Sequence, residues 1–192
     1  MGQEAPDINA QVNAGKSGWY QNLLAAWDEA NKTGEVIAKM CPAKGSLYRM
    51  ADETLVPVEN LKAHQLLAGI DGESQEVEEI QSAYVDVIRV QTENGFVARN
   101  SLTHAYALPR GGFTVAARSL GKTILTETGP SRVISVDLDG KDWVFNVITN
   151  GSHTYCADGI WALGVGEAER HVGMNEWAKI GSEMIHEVGA NG

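Results

Sequence analysis

The chain has 192 residues, a formal net charge of −10 and a pI near 4.9. With 43% hydrophobic and 21% charged residues, it has the composition of one globular domain with an appendage. Its acidity, and basic residues scattered rather than clustered, speak against binding to phosphate backbones or anionic lipid.

No apolar run approaches the roughly 20 residues that cross a bilayer, and the polar start "MGQEAPDINAQVNAGKSG" has no signal-peptide core. A cytoplasmic or virion-associated protein is expected. The 2 cysteines do not make a disulfide framework. A reducing compartment follows, with one Cys41–Cys156 bridge left open.

In chain order, residues 1–40 read as a polar tail and a helix. Trp19 or Tyr20, Leu23, Leu24 and Trp27 recur at helical spacing, and Gly34 offers a C-cap. From Cys41 to residue 165 the texture becomes β. Strands are expected near "SLYRM", "TLVPV", "QLLAGI", "YVDVIRVQT", "GFVARN", "HAYALP", "KTILTE", "SRVISVDL", "WVFNVI" and "HTYCAD". Turns are expected at Asp71-Gly72, Asn94-Gly95, residues 110–112, Asp139-Gly140 and Asn150-Gly151. "EVEE" at 76–79 reads as a solvated turn, and "LPRGGF" at 108–113 as a mobile hairpin loop. Residues 166–192 read as an amphipathic helix, with Met174, Trp177, Ile180, Met184 and Val188 on one face. The fold class is thus mainly β: a compact all-β domain of hairpins between an N-terminal and a C-terminal helix. The two helices either close the β domain or dock on a partner through Trp19 and Trp177.

Three stretches carry the chemistry. The first is "CPAKGS" at 41–46 with the following "YRMADETLVPVENLKAHQLL"; the second is "NGFVARNSLTHAYALPRGGFTVAARSL"; the third is "VFNVITNGSHTYCADGIWALG". In order and spacing they resemble the Hint superfamily, the self-processing domains of inteins and hedgehog C-terminal regions. The resemblance covers residues 41–164. Its first motif is Cys41, Gly45-Ser46, "LYRM", Asp52 and "VPVENL". Its second is Ser101 and His104, and its third is "VFNVI", His153, Tyr155 and Gly159.

The resemblance implies self-cleavage. Cys41 would attack the carbonyl of Met40, exchanging an amide for a thioester. His104 would protonate the departing nitrogen, Ser101 would hold the scissile peptide, and His153 would assist a later step. Such a domain turns over once, on its own chain, and needs neither cofactor nor metal. Thiolate formation needs a lowered pKa, for which so acidic a protein offers little help. The sequence also departs from the family. Leu163 and Gly164 stand where splicing inteins carry His-Asn, so full splicing is not expected. Asn146 stands where the aromatic strand carries Asp, Ser101 stands for Thr, and Pro42 stiffens the chain after the nucleophile. No sterol-binding region follows, which leaves water or an outside amine or thiol to trap the thioester.

A second reading stays open. A Hint core with a helical arm and no splice terminus is similar to Hint-domain proteins encoded beside virion genes of tailed phages. It would then be a non-catalytic structural or assembly protein, contacting other subunits, or its own copies in a homo-oligomer, through its terminal helices. The five histidines (His64, His104, His153, His171 and His186) show no metal-ligand spacing, although Cys41, His104 and His153 make an accidental zinc set. Cys156 either faces the site or is an inward β residue.

Overall fold

The computed structural model describes residues 41–164. They form one curled sheet of 11 strands. In order these are β1 (Leu47–Arg49), β2 (Leu55–Pro57), β3 (Leu66–Ala68), β4 (Ser74–Thr92), β5 (Val97–Ser101), β6 (Ala105–Ala107), β7 (Phe113–Val115), β8 (Thr123–Thr126), β9 (Gly129–Thr149), β10 (Thr154–Ala157) and β11 (Ile160–Leu163). Among the described residues, helical geometry is confined to the 3-10 turns Val58–Asn60 and Ala116–Arg118. None of their helices is long and apolar enough to cross a membrane. The expected terminal helices, with Trp19 and Trp177, lie outside the described residues.

Most expected strands are present, and two differences change the architecture. The runs "SRVISVDL" and "WVFNVI" belong to one 21-residue strand, β9. Asp139-Gly140 is therefore no hairpin turn. The pairing steps from Ile88↔Leu138 to Asp86↔Lys141, and Gly140 takes φ +74. One residue of β4 thus faces two of β9, which is a β-bulge, and a left-handed glycine suits a bulge as well as a turn. The "EVEE" segment is likewise no turn. It lies in β4, where Leu66 pairs with Glu76 and Val77 with Thr149. A single valine among glutamates is enough for a strand, because Val77 is buried while its charged neighbours face water.

Phe113–Val115 is a strand that the sequence reading did not mark, its first residue falling in the loop read at 108–113. It pairs with β6 from Ala107↔Phe113 to Ala105↔Val115, leaving residues 108–112 as the connection. Asn94-Gly95 joins β4 to β5, with Gly95 at φ +95. Asp71-Gly72 joins β3 to β4.

Two larger apolar clusters flank the bent sheet. One centres on Tyr106, Ile124, Val136 and Ile160, the other on Tyr48, Leu67, Val77 and Tyr155. A third, smaller cluster contains Cys41, Ala43, Val87 and Val144.

That third cluster includes the start of the described residues. β4 pairs with both β5 and β9, and residues 41–44 join the outer edges of those two strands. Toward β5, Ser101 N–H donates to the Cys41 carbonyl at 2.9 Å and Ala43 N–H to the Arg99 carbonyl at 2.9 Å. Toward β9, Phe145 N–H donates to the Pro42 carbonyl at 2.9 Å and Lys44 N–H to the Trp143 carbonyl at 2.7 Å. The sheet is thereby closed into a ring at this point, with no free edge beside Cys41. Arg99 fastens the same ring through its side chain. Its Nε lies 2.5 Å from Asp139 Oδ2, at the bulge, and its Nη1 lies 2.8 Å from Asp142 Oδ2.

Candidate functional site

Cys41 has no exposed surface, and Ser101 and His104 are each 2% exposed. The Cys41 backbone N–H donates to Ser101 Oγ at 2.8 Å. With the return bond from Ser101 N–H to the Cys41 carbonyl, residues 41 and 101 are clamped to each other twice. The hydroxyl thus holds the nitrogen of the Met40–Cys41 peptide. Pro42 has no N–H, so it enters the ring through its carbonyl alone.

β5 ends at Ser101, and a tight turn follows. His104 N–H donates to the Ser101 carbonyl at 3.2 Å, and Ala116 N–H to the His104 carbonyl at 2.7 Å. This turn sends the His104 ring inward, between two tyrosines. Tyr106 meets it edge-on, with ring centroids 5.3 Å apart and planes at 86°. Tyr155 lies across it at 6.1 Å and 37°. Tyr155 in turn stacks on Tyr48 at 4.9 Å. Asn100, one residue before Ser101, donates from Nδ2 to the Tyr106 hydroxyl at 2.5 Å.

The electrostatics tie Cys41 to the same tyrosines. Burial pushes the Tyr48, Tyr106 and Tyr155 phenols well above their ordinary range. The Cys41 charge pushes Tyr48 and Tyr155 further in the same direction. Tyr155 thus lies between the His104 ring and the Tyr48 ring. Three segments far apart in sequence, 41, 101–104 and 155, converge on one dry spot.

His153 occupies a different place. It has φ +56, and its carbonyl accepts from Gly164 N–H at 2.5 Å. This puts it beside the last described residue, at the end of β11. Asn146 is buried in β9, with Nδ2 3.4 Å from Gln81 Oε1.

Cys156 does not face the site. It directly follows Tyr155 in a strand, so the two side chains point to opposite faces. Its partner across the ladder is Trp161, and burial, with Glu127 adding to it, pushes the thiol up to about 12. No disulfide joins the two cysteines, so the Cys41–Cys156 bridge left open by the sequence is not formed. Among the described residues, no group of three His, Cys, Asp or Glu side chains is placed to hold a metal. Cys41, His104 and His153 thus do not gather into a zinc set. The sequence reading missed Tyr48, Asn100 and Tyr106 as neighbours of the site. β10 is buried throughout and β6 likewise, so alternation gave no sign of which residues turn toward Cys41.

Ser101→Ala would leave the Cys41 N–H buried without its acceptor. The expected cost is about 1–3 kcal/mol of stability, read from denaturant unfolding, with Ser101→Thr retaining most of it. A Ser101→Ala chain as stable as the wild type would show that the clamp contributes nothing.

No model of a known protein family matches the chain, and no curated protein matches it by sequence. Solved structures do match its fold. The gp41-1 intein superposes with a TM-score of 0.59 at 12% identity, covering 65% of this chain and 98% of the intein. A DnaB intein from Synechocystis sp. PCC 6803 gives 0.60 at 18% identity, covering 65% of this chain and 97% of the intein. The Msm DnaB1 intein splicing domain, solved with zinc bound, gives 0.56 at 15% identity, covering 64% of this chain and 99% of that domain. The described residues thus have the Hint fold of intein splicing domains.

Proposed function

We propose that this chain is a Hint-type autoprocessing domain that cuts itself once, at Met40–Cys41, and does not splice. The observation that carries this reading is the 2.8 Å hydrogen bond from the Cys41 nitrogen to Ser101 Oγ, made to a residue whose carbonyl accepts from the N–H of the buried His104.

The step balances as follows. The Cys41 thiol loses its proton and the sulfur bonds to the Met40 carbonyl carbon. The carbon–nitrogen bond then breaks, and the nitrogen leaves with a proton supplied by His104. Water, an amine or a thiol from outside finally takes the acyl group from sulfur. An amide nitrogen is a poor leaving group until it is protonated. Ser101 Oγ accepts from that nitrogen, so its lone pair favours the positive charge that protonation creates, and it keeps the freed amine in place. Leu163 and Gly164 supply no side-chain amide at the other end of the domain, so the C-terminal flank stays attached. His153, fixed beside Gly164, has no cyclising asparagine to serve.

Hydroxylamine is the direct probe, because it attacks thioesters far faster than amides. The purified wild-type chain is expected to split at Met40–Cys41 when hydroxylamine is added, and Cys41→Ala is expected to stay whole. Equal splitting of both would overturn the reading.

The second reading is a scaffold that keeps the Hint fold without the cut, in a virion or another assembly. The departures at Asn146 and Gly164 support it, since both remove side chains the splicing chemistry uses. On that reading the wild type also stays whole in hydroxylamine.

A further inference from the structure

The β1–β3 end of the sheet gathers exposed apolar side chains. Leu47, Leu55, Leu66 and Ile70 lie there, four of the eight large apolar side chains exposed among the described residues. They border a cleft of about 470 Å³ whose walls include Arg49, Met50, Ala68, Gly69, Glu73 and Trp161. Leu47 shares a face of β1 with Arg49, and Leu55 lies opposite Arg49 across the ladder. Leu66 shares a face of β3 with Ala68, and Ile70 directly follows Gly69. Met50 belongs to the Tyr48 cluster, whereas Trp161 packs against the Tyr106 cluster. The cleft therefore opens at the seam between the two larger cores. β2 and β3 also stand at the two ends of the strand order. Single exposed leucines are ordinary, but four around one cleft at the ends of a sheet mark a surface that is covered in use.

The last described strand leads to that surface. β11 ends at Leu163, which pairs with Thr154. The Thr154 hydroxyl accepts from Ile70 N–H at 3.1 Å, so the described chain stops one hydrogen bond from the lip of the cleft. Beyond it, Met174, Trp177, Ile180, Met184 and Val188 recur at helical spacing. As a helix, residues 174–188 span about 22 Å, and the stretch 165–173 reaches up to ~30 Å. A helix of that length is marginal alone in water, and its apolar face needs a counterpart.

We propose that residues 174–188 dock as a helix on the β1–β3 cleft, with the Trp177 face against Leu66, Ile70 and Trp161. The charged residues of the segment then face water, and both ends of the strand order are covered. The inference is independent of self-cleavage, since the docked segment stays with the β domain whether or not Met40–Cys41 is cut. It also takes Trp177 away from the surface through which an assembly protein would contact other subunits.

Hydrogen–deuterium exchange of the full chain tests this. The amides of 174–188 are expected to exchange at least about tenfold slower than in an unfolded chain, equally at low and high protein concentration. Leu66→Ser combined with Ile70→Ser changes only exposed side chains. It is expected to erase that protection while β4 and β9 keep theirs. Trp177→Ser, outside the described fold, is expected to erase it as well and to speed exchange in β3, and serves if the double variant does not fold. Unprotected 174–188 in the wild type overturns the proposal. So does protection that survives the double variant in a folded chain, or β3 exchange unchanged in Trp177→Ser. Protection that grows with protein concentration, beside a dimer in sedimentation, gives the cleft to a second copy and overturns it too.

Discussion

His104→Ala is expected to slow hydroxylamine-dependent cleavage at Met40–Cys41 by about 10²–10⁴-fold, the usual worth of a positioned proton donor. The argument is local. The nitrogen must be protonated as it leaves, and Ser101 Oγ accepts from it, so Ser101 is not the group that delivers the proton. His104 is placed three residues further on, its N–H tied to the Ser101 carbonyl at 3.2 Å and its ring held between Tyr106 and Tyr155. Because the ring is buried, truncation also leaves a void, so His104→Gln belongs beside it as a variant that fills the space without supplying the proton. Both are expected to lose the rate, with His104→Gln keeping the melting temperature nearer the wild type. Wild-type rates in folded His104→Gln would remove His104 from the mechanism.

The second large effect concerns the fold. Gly159→Ala is expected to lower stability by about 3 kcal/mol, and Gly112→Ala by only about 1 kcal/mol. The two glycines share φ +77, so the backbone cost of a side chain in the left-handed region is common to both. They differ in surroundings. A Cβ on Gly159 would sit 2.3 Å from the Phe96 ring, whereas one on Gly112 would meet nothing within 4 Å. Phe96 packs against the Tyr106 cluster, so it cannot swing aside without opening that core. Gly159 also turns β10 into β11, and its carbonyl accepts from Glu127 N–H at 2.8 Å. Urea unfolding of both variants measures the difference. Equal losses would show that Phe96 yields freely.

Much of this architecture was legible in the sequence because its signals are local. Val, Ile and aromatic runs between glycine and asparagine turns mark β1, β5, β8 and β10 directly. What stayed hidden depends on distant partners. Asp139-Gly140 reads as a turn because the same backbone angles serve a bulge, and only pairing to β4 shows that β9 runs through. The "EVEE" segment reads as solvated because three of its four residues are charged, and the one valine acquires its meaning from the core it enters. The role of residues 41–44 in closing the ring is invisible from a window of a few residues, since their hydrogen bonds reach β5 and β9. At the site, Cys41, Ser101 and His104 were named through the family resemblance, and hydrogen bonds join Cys41 to Ser101 and the His104 N–H to the Ser101 carbonyl. His153 was legible as a residue but not as a location, because its place beside Gly164 follows from the β10–β11 hairpin. Tyr48 was a strand residue with no sequence sign that it would lie fully buried and stacked on Tyr155.

The most direct measurement of self-cleavage is the chemical identity of the new chain end. Treated with an excess of a small thiol, the wild-type chain should release a fragment covering residues 1–40 whose mass carries that thiol as a thioester at Met40, beside a partner fragment beginning at Cys41. A fragment ending in an ordinary carboxylate and formed equally by Cys41→Ala, or a cut at any other bond, would contradict the acyl shift.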